Sequence, residues 1–174
     1  MGSAVVLAAY IFSLLVSLIF LYMLLRPIVG GAIYFPTSQR NVGVIVSLAR
    51  VKSGERAADL GSGDGRVVIA LAQAGAQEVH GFEINPLLVL RSRAAVKHAG
   101  LSGNVFIHWK SFWRADLSSF QVVAVYGIPH IMKSLEKKLA RELKPGARVA
   151  SNVFRFPRWA PAASRDTVYL YVRQ

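Results

Sequence analysis

The 174-residue chain predicts an α/β domain with a doubly wound, mostly parallel sheet, preceded by one N-terminal transmembrane helix. Three observations carry this. From Arg56 onward, short runs rich in β-branched residues alternate with segments of helical period, the pattern of strands joined by crossover helices. The first of those runs closes on a glycine-rich turn, Asp59 to Arg66, reading DLGSGDGR. Ahead of both, Ala4 to Leu25 contains no charged residue and has about the length a helix needs to cross a ~30 Å hydrocarbon layer.

The chain divides into an anchor (1–26), a linker with an N-terminal helix (27–55) and one domain (56–174). A cleavable leader is the rival for the first piece. The apolar stretch exceeds the usual ~7–15 residue core, no Lys or Arg precedes it, and no A-x-A site comes before Arg26. Arg26, Arg40 and Arg50 follow the span while no Lys or Arg precedes it, so the positive-inside rule places the domain on the cytoplasmic side.

Arg26 to Thr37 reads as a Gly/Pro-punctuated linker carrying Tyr34 and Phe35, and Thr37 or Ser38 caps a helix running to about Arg50. Strand one is expected at Arg56 to Gly61, a helix at Gly65 to Ala74, and strand two at Glu78 to Glu83. Pro86 then opens a helix that ends near Gly100. Val105 to Trp109 and Val122 to Gly127 are strands three and four. A helix from about His130 to Leu143 sets Ile131, Leu135, Leu139 and Leu143 on one stripe and Lys133, Lys137, Lys138 and Arg141 off it. Strand five is Ala147 to Phe154, and Asp166 to Val172 supplies a last strand, antiparallel at or near the edge.

The glycine turn does chemistry through its backbone. Gly61, Gly63 and Gly65 allow a tight turn and close approach to a ligand, and the helix beyond offers free N–H groups. One strand later GFEINP puts Glu83 about 20 residues past the turn, where a carboxylate accepts the hydroxyls of a ribose. Loop and acid together call for a nucleotide cofactor. A nicotinamide cofactor competes, but its fingerprint is G-x-G-x-x-G, whereas the spacing here is G-x-G-x-G with Arg66 at the third glycine position. The tighter spacing and the leading acid Asp59 resemble motif I of the seven-β-strand methyltransferases, in which that acid lies near the methionine end of the cofactor. This favours S-adenosylmethionine, with Asp59, Gly61, Ser62, Gly63, Asp64, Gly65, Glu83, Ile84 and Asn85 as its candidate ligands. Asp64 has two readings, the cofactor amine or a helix cap.

Composition narrows the rest. With no cysteine, disulfides, thiolate metal sites and cysteine nucleophiles are excluded. The four histidines, His80, His98, His108 and His130, show no ligand spacing, and no metal site is expected. The formal charge of +12 lies wholly outside the apolar segment. Beside a membrane it suits anionic headgroups, so lipid is an expected partner. Without a helix-turn-helix, RNP or zinc pattern, no nucleic-acid partner is expected.

These residues carry a family resemblance. The chain is similar to the small membrane-associated seven-β-strand protein-lysine methyltransferases typified by the mitochondrial enzymes acting on the adenine nucleotide translocase and the c-ring protein of ATP synthase. The matching stretches are YFPTSQRNVGVIVSLA from Tyr34, DLGSGDGRVVIALA from Asp59, GFEINPLLVLRSR from Gly81, LEKKLARELKPGARV from Leu135 and FRFPRWAP from Phe154. The resemblance implies a Rossmann-like fold, S-adenosylmethionine with S-adenosylhomocysteine as product, and a lysine of a membrane protein as acceptor. Asp-Leu-Trp of the family is replaced by Ser111, Phe112 and Trp113, which leaves a serine hydroxyl or a backbone group to hold the adenine amino group and Phe112 or Trp113 to stack on the ring. A lysine acceptor must first lose its proton, and an aromatic pocket favours that; Tyr34, Tyr126 and Trp159 are its candidate walls, with ordinary packing as the alternative for each. Two other functions share these features: methylation of a lipophilic small molecule such as a quinone or lipid, and a silent cofactor-binding module.

Overall fold

The computed structural model of the chain describes residues 2–30 and 35–174, with side chains described for 3–22 and 35–174. Helix α1 (Gly2–Gly30) leads to α2 (Gln39–Ala49), and then β1 (Arg56–Leu60), α3 (Arg66–Gln73), β2 (Glu78–Glu83), α4 (Pro86–His98) and β3 (Val105–Trp109) follow in alternation. After a 3-10 turn (Phe112–Arg114) come β4 (Val122–Val125), α5 (Pro129–Glu142), β5 (Arg148–Asn152), β6 (Ala163–Arg165) and β7 (Val168–Val172). The sheet order is β3-β2-β1-β4-β5-β7-β6, with β1 to β5 parallel and β6 and β7 antiparallel. The order reverses between β1 and β4, so a crevice opens beyond their carboxyl ends.

Two-residue periodicity splits the core. Ala57, Val79, Val105 and Val122 share one buried cluster with Ile45 of α2, Val68 and Leu71 of α3, and Val89 and Val96 of α4. Their neighbours Ala58, Leu60, Phe82 and Val123 face the other way, onto Leu135 and Leu139 of α5. Three helices thus cover one face. The other has α5 and the loop between β3 and β4, which contains the 3-10 turn where a crossover helix was available.

Several expectations are corrected. Helix α1 continues past Arg26 and Pro27 to Gly30, so the linker starts later than the sequence suggested. An apolar segment that stays helical keeps its backbone bonds, against the single one Pro27 lacks. Strands β1, β4 and β5 end one or two residues early, because the chain peels away where it turns into the crevice. The last strand starts at Val168, since Asp166 takes a φ of 52° in a turn. Strand β6 was not anticipated: its three residues are all exposed and carry no alternation, yet it takes the edge and leaves β7 inside. Lys138, placed off the apolar stripe, is buried; its Nζ donates to Ala115 O at 2.7 Å and to both oxygens of Glu142. His80 and His108, far apart in sequence, meet through the β2–β3 register, with ring nitrogens 3.0 Å apart. Among the described residues no group of three or more candidate ligands gathers around a metal position.

Residues Ser3–Tyr22 of α1 have a mean hydropathy of 2.7, and none of that stretch is buried against the rest of the molecule. Among the described residues this one helix is long and apolar enough to cross a membrane.

Candidate active site

The loop after β1 takes its shape from three left-handed glycines, with φ of 89° at Gly61, 54° at Gly63 and 90° at Gly65. Any other L-residue is strained there. Gly61 N–H and Ser62 N–H both donate to Phe82 O, at 2.9 and 3.1 Å, which pins the loop to the end of β2. A Cβ on Gly61 would meet no atom within 4 Å, so the space above that glycine is open. At Gly65 a Cβ would fall 2.5 Å from Ser92 Oγ; this glycine lets the loop and α4 approach each other and does not line the crevice.

Glu83 completes the loop. Its Oε2 accepts from Gly63 N–H at 3.0 Å, and Oε1 accepts from Ile84 N–H and Asn85 N–H, each at 2.8 Å. A carboxylate offers about four acceptor sites, so capacity remains for a ligand hydroxyl. Asn85 then caps α4 by accepting from Leu87 N–H at 3.0 Å, and Pro86 occupies the first turn, where its missing N–H costs nothing. The run EINP therefore makes a backbone-held carboxylate at the cavity and a helix start from four consecutive residues.

These elements wall a cavity of about 300 Å³ at the carboxyl ends of the strands. On the β1–β2 side it is lined by Asp59, Gly61, Ser62, Gly63, Asp64, Glu83, Ile84 and Asn85, and Ser111 and Phe112 close it beyond β3. Across from them stand Tyr126 and Gly127 after β4, Asn152 and Phe154 at the end of β5, Ile131 of α5, and Phe35 and Thr37 ahead of α2. Asp59 is buried; desolvation, and then the charges of Glu83 and Asp64, push its carboxyl well above the ordinary 3.8. Asp64 is held by Arg66, whose Nη2 lies 2.6 Å from Oδ2, and Arg66 Nη1 also donates to Thr37 O at 2.7 Å. The same arginine thus ties the segment before α2 to the loop.

Two of the three aromatic candidates are placed by the structure. Tyr126 lines the cavity with its ring centroid 6.3 Å from that of Phe154. Trp159 does not line it. Its ring packs on Phe156 and Tyr171 at 5.7 and 5.5 Å, and its indole N–H donates to Val172 O at 3.2 Å, because an apolar surface beside β7 receives it. Tyr34 lies outside the described residues. Trp113, next to Phe112 at 4.9 Å, is likewise off the lining. Arg155 stacks its guanidinium 4.6 Å over the Tyr169 ring.

A polar network in the cavity wall escaped the sequence reading. Asn41 Nδ2 donates to Asn152 Oδ1 at 2.9 Å and to Thr167 Oγ1 at 3.0 Å, and Asn152 Nδ2 reaches Thr37 Oγ1 at 3.5 Å. Buried amides persist only when paired, so a lone Asn inside the apolar run ending β5 was the available signal.

The residues fit an S-adenosyl cofactor. Open space lies over the glycine loop, Glu83 keeps acceptor capacity at the ribose position, and Asp59 is a buried acid facing the cavity with no basic group among the causes of its shift. That is the environment a cationic methionine end would neutralise.

Known proteins agree with this geometry. Residues 59–163 match the ANTKMT methyltransferase domain family. The chain is 35 % identical over 165 residues to the lysine N-methyltransferase of Rattus norvegicus that acts on the c-ring protein of ATP synthase, covering 89 % of this chain and 76 % of that one. It is 40 % identical over 142 residues to the adenine nucleotide translocase lysine N-methyltransferase of Mus musculus, covering 79 % of this chain and 62 % of the other. The mouse counterpart of the rat ATP synthase enzyme is matched over 57 % of its length, so some relatives carry much sequence with no counterpart here. A crystal structure of an RNA methyltransferase from Salinibacter ruber, in complex with S-adenosyl-L-homocysteine, superposes with a TM-score of 0.76 at 36 % identity, over 79 % of this chain and 93 % of that one. S-adenosylmethionine is accordingly the cofactor, and the chain belongs to the ANTKMT methyltransferase family.

Proposed function

We propose that the protein is a protein-lysine N-methyltransferase held at a membrane by α1, with its domain on the cytoplasmic side and a membrane protein as acceptor. The observation that carries this is the two-sided cavity: cofactor groups on one wall and an aromatic, amide-lined opening on the other. The names of the rat and mouse relatives supply lysine as the acceptor, and the exposed apolar α1 supports the anchor.

When bound, the cofactor supplies a methyl group on a sulfonium sulfur, open to in-line attack. The chain's part is alignment and exclusion of water. Asp59, the loop and Glu83 hold the donor from the β1–β2 side, and Ser111 with Phe112 receives the adenine. Tyr126 and Phe154 flank the approach of an acceptor amine, which would receive the methyl group that the cofactor supplies. The amine must arrive deprotonated. Among the described residues the carboxylates lining the cavity, Asp59, Asp64 and Glu83, belong to the donor wall, so the ammonium proton is given up to water before attack.

A nucleic-acid acceptor is the second reading, favoured by the name of the Salinibacter protein and the charge of +12. Incubating the detergent-solubilised protein and its Glu83→Ala variant with radiolabelled S-adenosylmethionine, cell membranes and total RNA separates the readings. Alkali-stable label in a protein band, absent with the variant, supports lysine. Label in RNA, or in the organic extract, rejects it for a nucleic-acid or a lipophilic acceptor.

A further inference from the structure

Among the described residues outside α1, the four most exposed large apolar side chains are Leu87 at 71 %, Phe35 at 66 %, Leu90 at 62 % and Trp109 at 57 %. Scattered single residues of this kind need no explanation, but these share one end of the domain. Trp109 is the last residue of β3, and Leu87 and Leu90 lie in the first turns of α4. Phe35 and Ile84 line the mouth of the same cavity. The Trp109 indole N–H donates to Ile84 O at 3.0 Å, two residues ahead of α4, so indole and helix start form one surface. Leu87 and Leu90 are three apart and occupy one outward helix face, opposite buried Val89, Ser92 and Val96.

Cations alternate with these residues. Arg91 follows Leu90, Lys110 follows Trp109, and Arg114 ends the 3-10 turn; all three are exposed and form no ion pair among the described residues. The acids nearest the mouth are turned inward, Glu83 onto backbone N–H groups and Asp64 onto Arg66. Exposed Trp and Leu beside Lys and Arg match the chemistry of an anionic membrane–water interface.

Chain connectivity points the same way. Only eight residue steps join Gly30, where α1 ends, to Ser38, the cap of α2, a reach of at most about 28 Å even if fully extended. The chain enters the domain at its carboxyl edge, since Phe35 and Thr37 are themselves part of the cavity wall. The edge nearest the membrane is therefore the edge that bears the patch.

We propose that this rim is a membrane-docking surface: Leu87, Leu90 and Trp109 enter the interface of an anionic bilayer and Arg91 and Lys110 meet lipid phosphates, which turns the cavity mouth towards acceptors in that bilayer. The proposal rests on α1 as an anchor and adds an orientation that an anchor alone does not supply. A tethered domain without such a surface would tumble over its linker.

The absence of cysteine makes the test clean. Tyr10→Cys in α1, Leu90→Cys on the rim and Ser53→Cys at the opposite end of the sheet are each labelled with a polarity-sensitive fluorophore. The full-length proteins, checked for S-adenosylhomocysteine binding, are placed in nanodiscs of phosphatidylglycerol with phosphatidylcholine or of phosphatidylcholine alone, with brominated lipid tails as quencher. The proposal predicts quenching at positions 10 and 90 and none at 53, with the signal at 90 lost in uncharged discs or high salt. Quenching at 10 alone overturns the docking surface and leaves the anchor standing. No quenching at 10 removes the anchor and the proposal with it. Shielding of position 90 only on addition of a protein acceptor overturns the lipid as occupant.

Discussion

The two walls of the crevice are built in different ways. The donor wall is local: six consecutive residues from Asp59 to Asp64, with Glu83 twenty positions beyond Gly63, take their places from left-handed glycines and backbone hydrogen bonds. The acceptor wall is assembled from distant pieces, with Asn41 bonded to Asn152 across 111 positions and Thr37 to Asn152 across 115. In the proposed function, a wall made from one backbone loop holds the half of the reaction common to all acceptors, and a wall made from side chains of several elements leaves the acceptor open to variation.

The largest expected effect breaks the donor wall. Glu83→Ala removes the acceptor of three backbone N–H groups and, on the proposed function, the ribose contact, and charge-assisted bonds are each worth about 1.5–3 kcal/mol. Calorimetric affinity for S-adenosylhomocysteine should fall on the order of a hundredfold or more, with a lower melting temperature; a change below about tenfold would detach Glu83 from the cofactor.

Asp59 gives the next effect, as a pH dependence. Its carboxyl titrates above 3.8 in the folded protein, so the folded state holds the proton more tightly and the free protein loses stability as pH rises from about 4 through the raised value. A cationic ligand favours the ionised form. Affinity for S-adenosylmethionine should therefore rise over the same window, by up to about tenfold per pH unit, with proton release seen by calorimetry in buffers of different ionisation enthalpy. Asp59→Asn should flatten that dependence; an unchanged slope would assign it to another group.

On the acceptor wall, Asn152→Leu leaves the Asn41 amide without its principal partner, at a cost of about 1–3 kcal/mol in chemical denaturation. The sharper readout is the contrast between walls: kcat/KM for the acceptor should fall more than cofactor affinity does. Equal losses would mean the walls are not separable.

The smallest effect is a gain. Ser111→Asp supplies a carboxylate at this point of the cavity wall, the residue that the family resemblance leads one to expect there, and cofactor affinity should tighten by a few-fold, within the roughly 0.5–1.5 kcal/mol of one net hydrogen bond. No change would show that backbone groups already hold the adenine.

The same contrast explains what the sequence revealed. Strand and helix alternation, the glycine turn and the EINP helix start are local patterns, and the sheet, its switch point and the donor wall could be read from them. The remainder depends on register and packing. His80 and His108 pair only because β2 and β3 align them, Lys138 is buried because a carbonyl from Ala115 waits for it, and Trp159 leaves the cavity because Phe156 and Tyr171 offer a larger apolar surface. Strand β6 has no pattern of its own and exists through β7.

One cavity, on this reading, brings a donor held on Glu83 to a lysine entering past Tyr126. The most direct test is tandem mass spectrometry of membrane proteins after incubation with the purified protein and S-adenosylmethionine, beside the Glu83→Ala variant. Methyl groups are expected on a lysine Nε of a membrane protein with the wild-type chain and none with the variant. Methylation confined to nucleotides or lipids, under conditions where S-adenosylhomocysteine binding is intact, would contradict it.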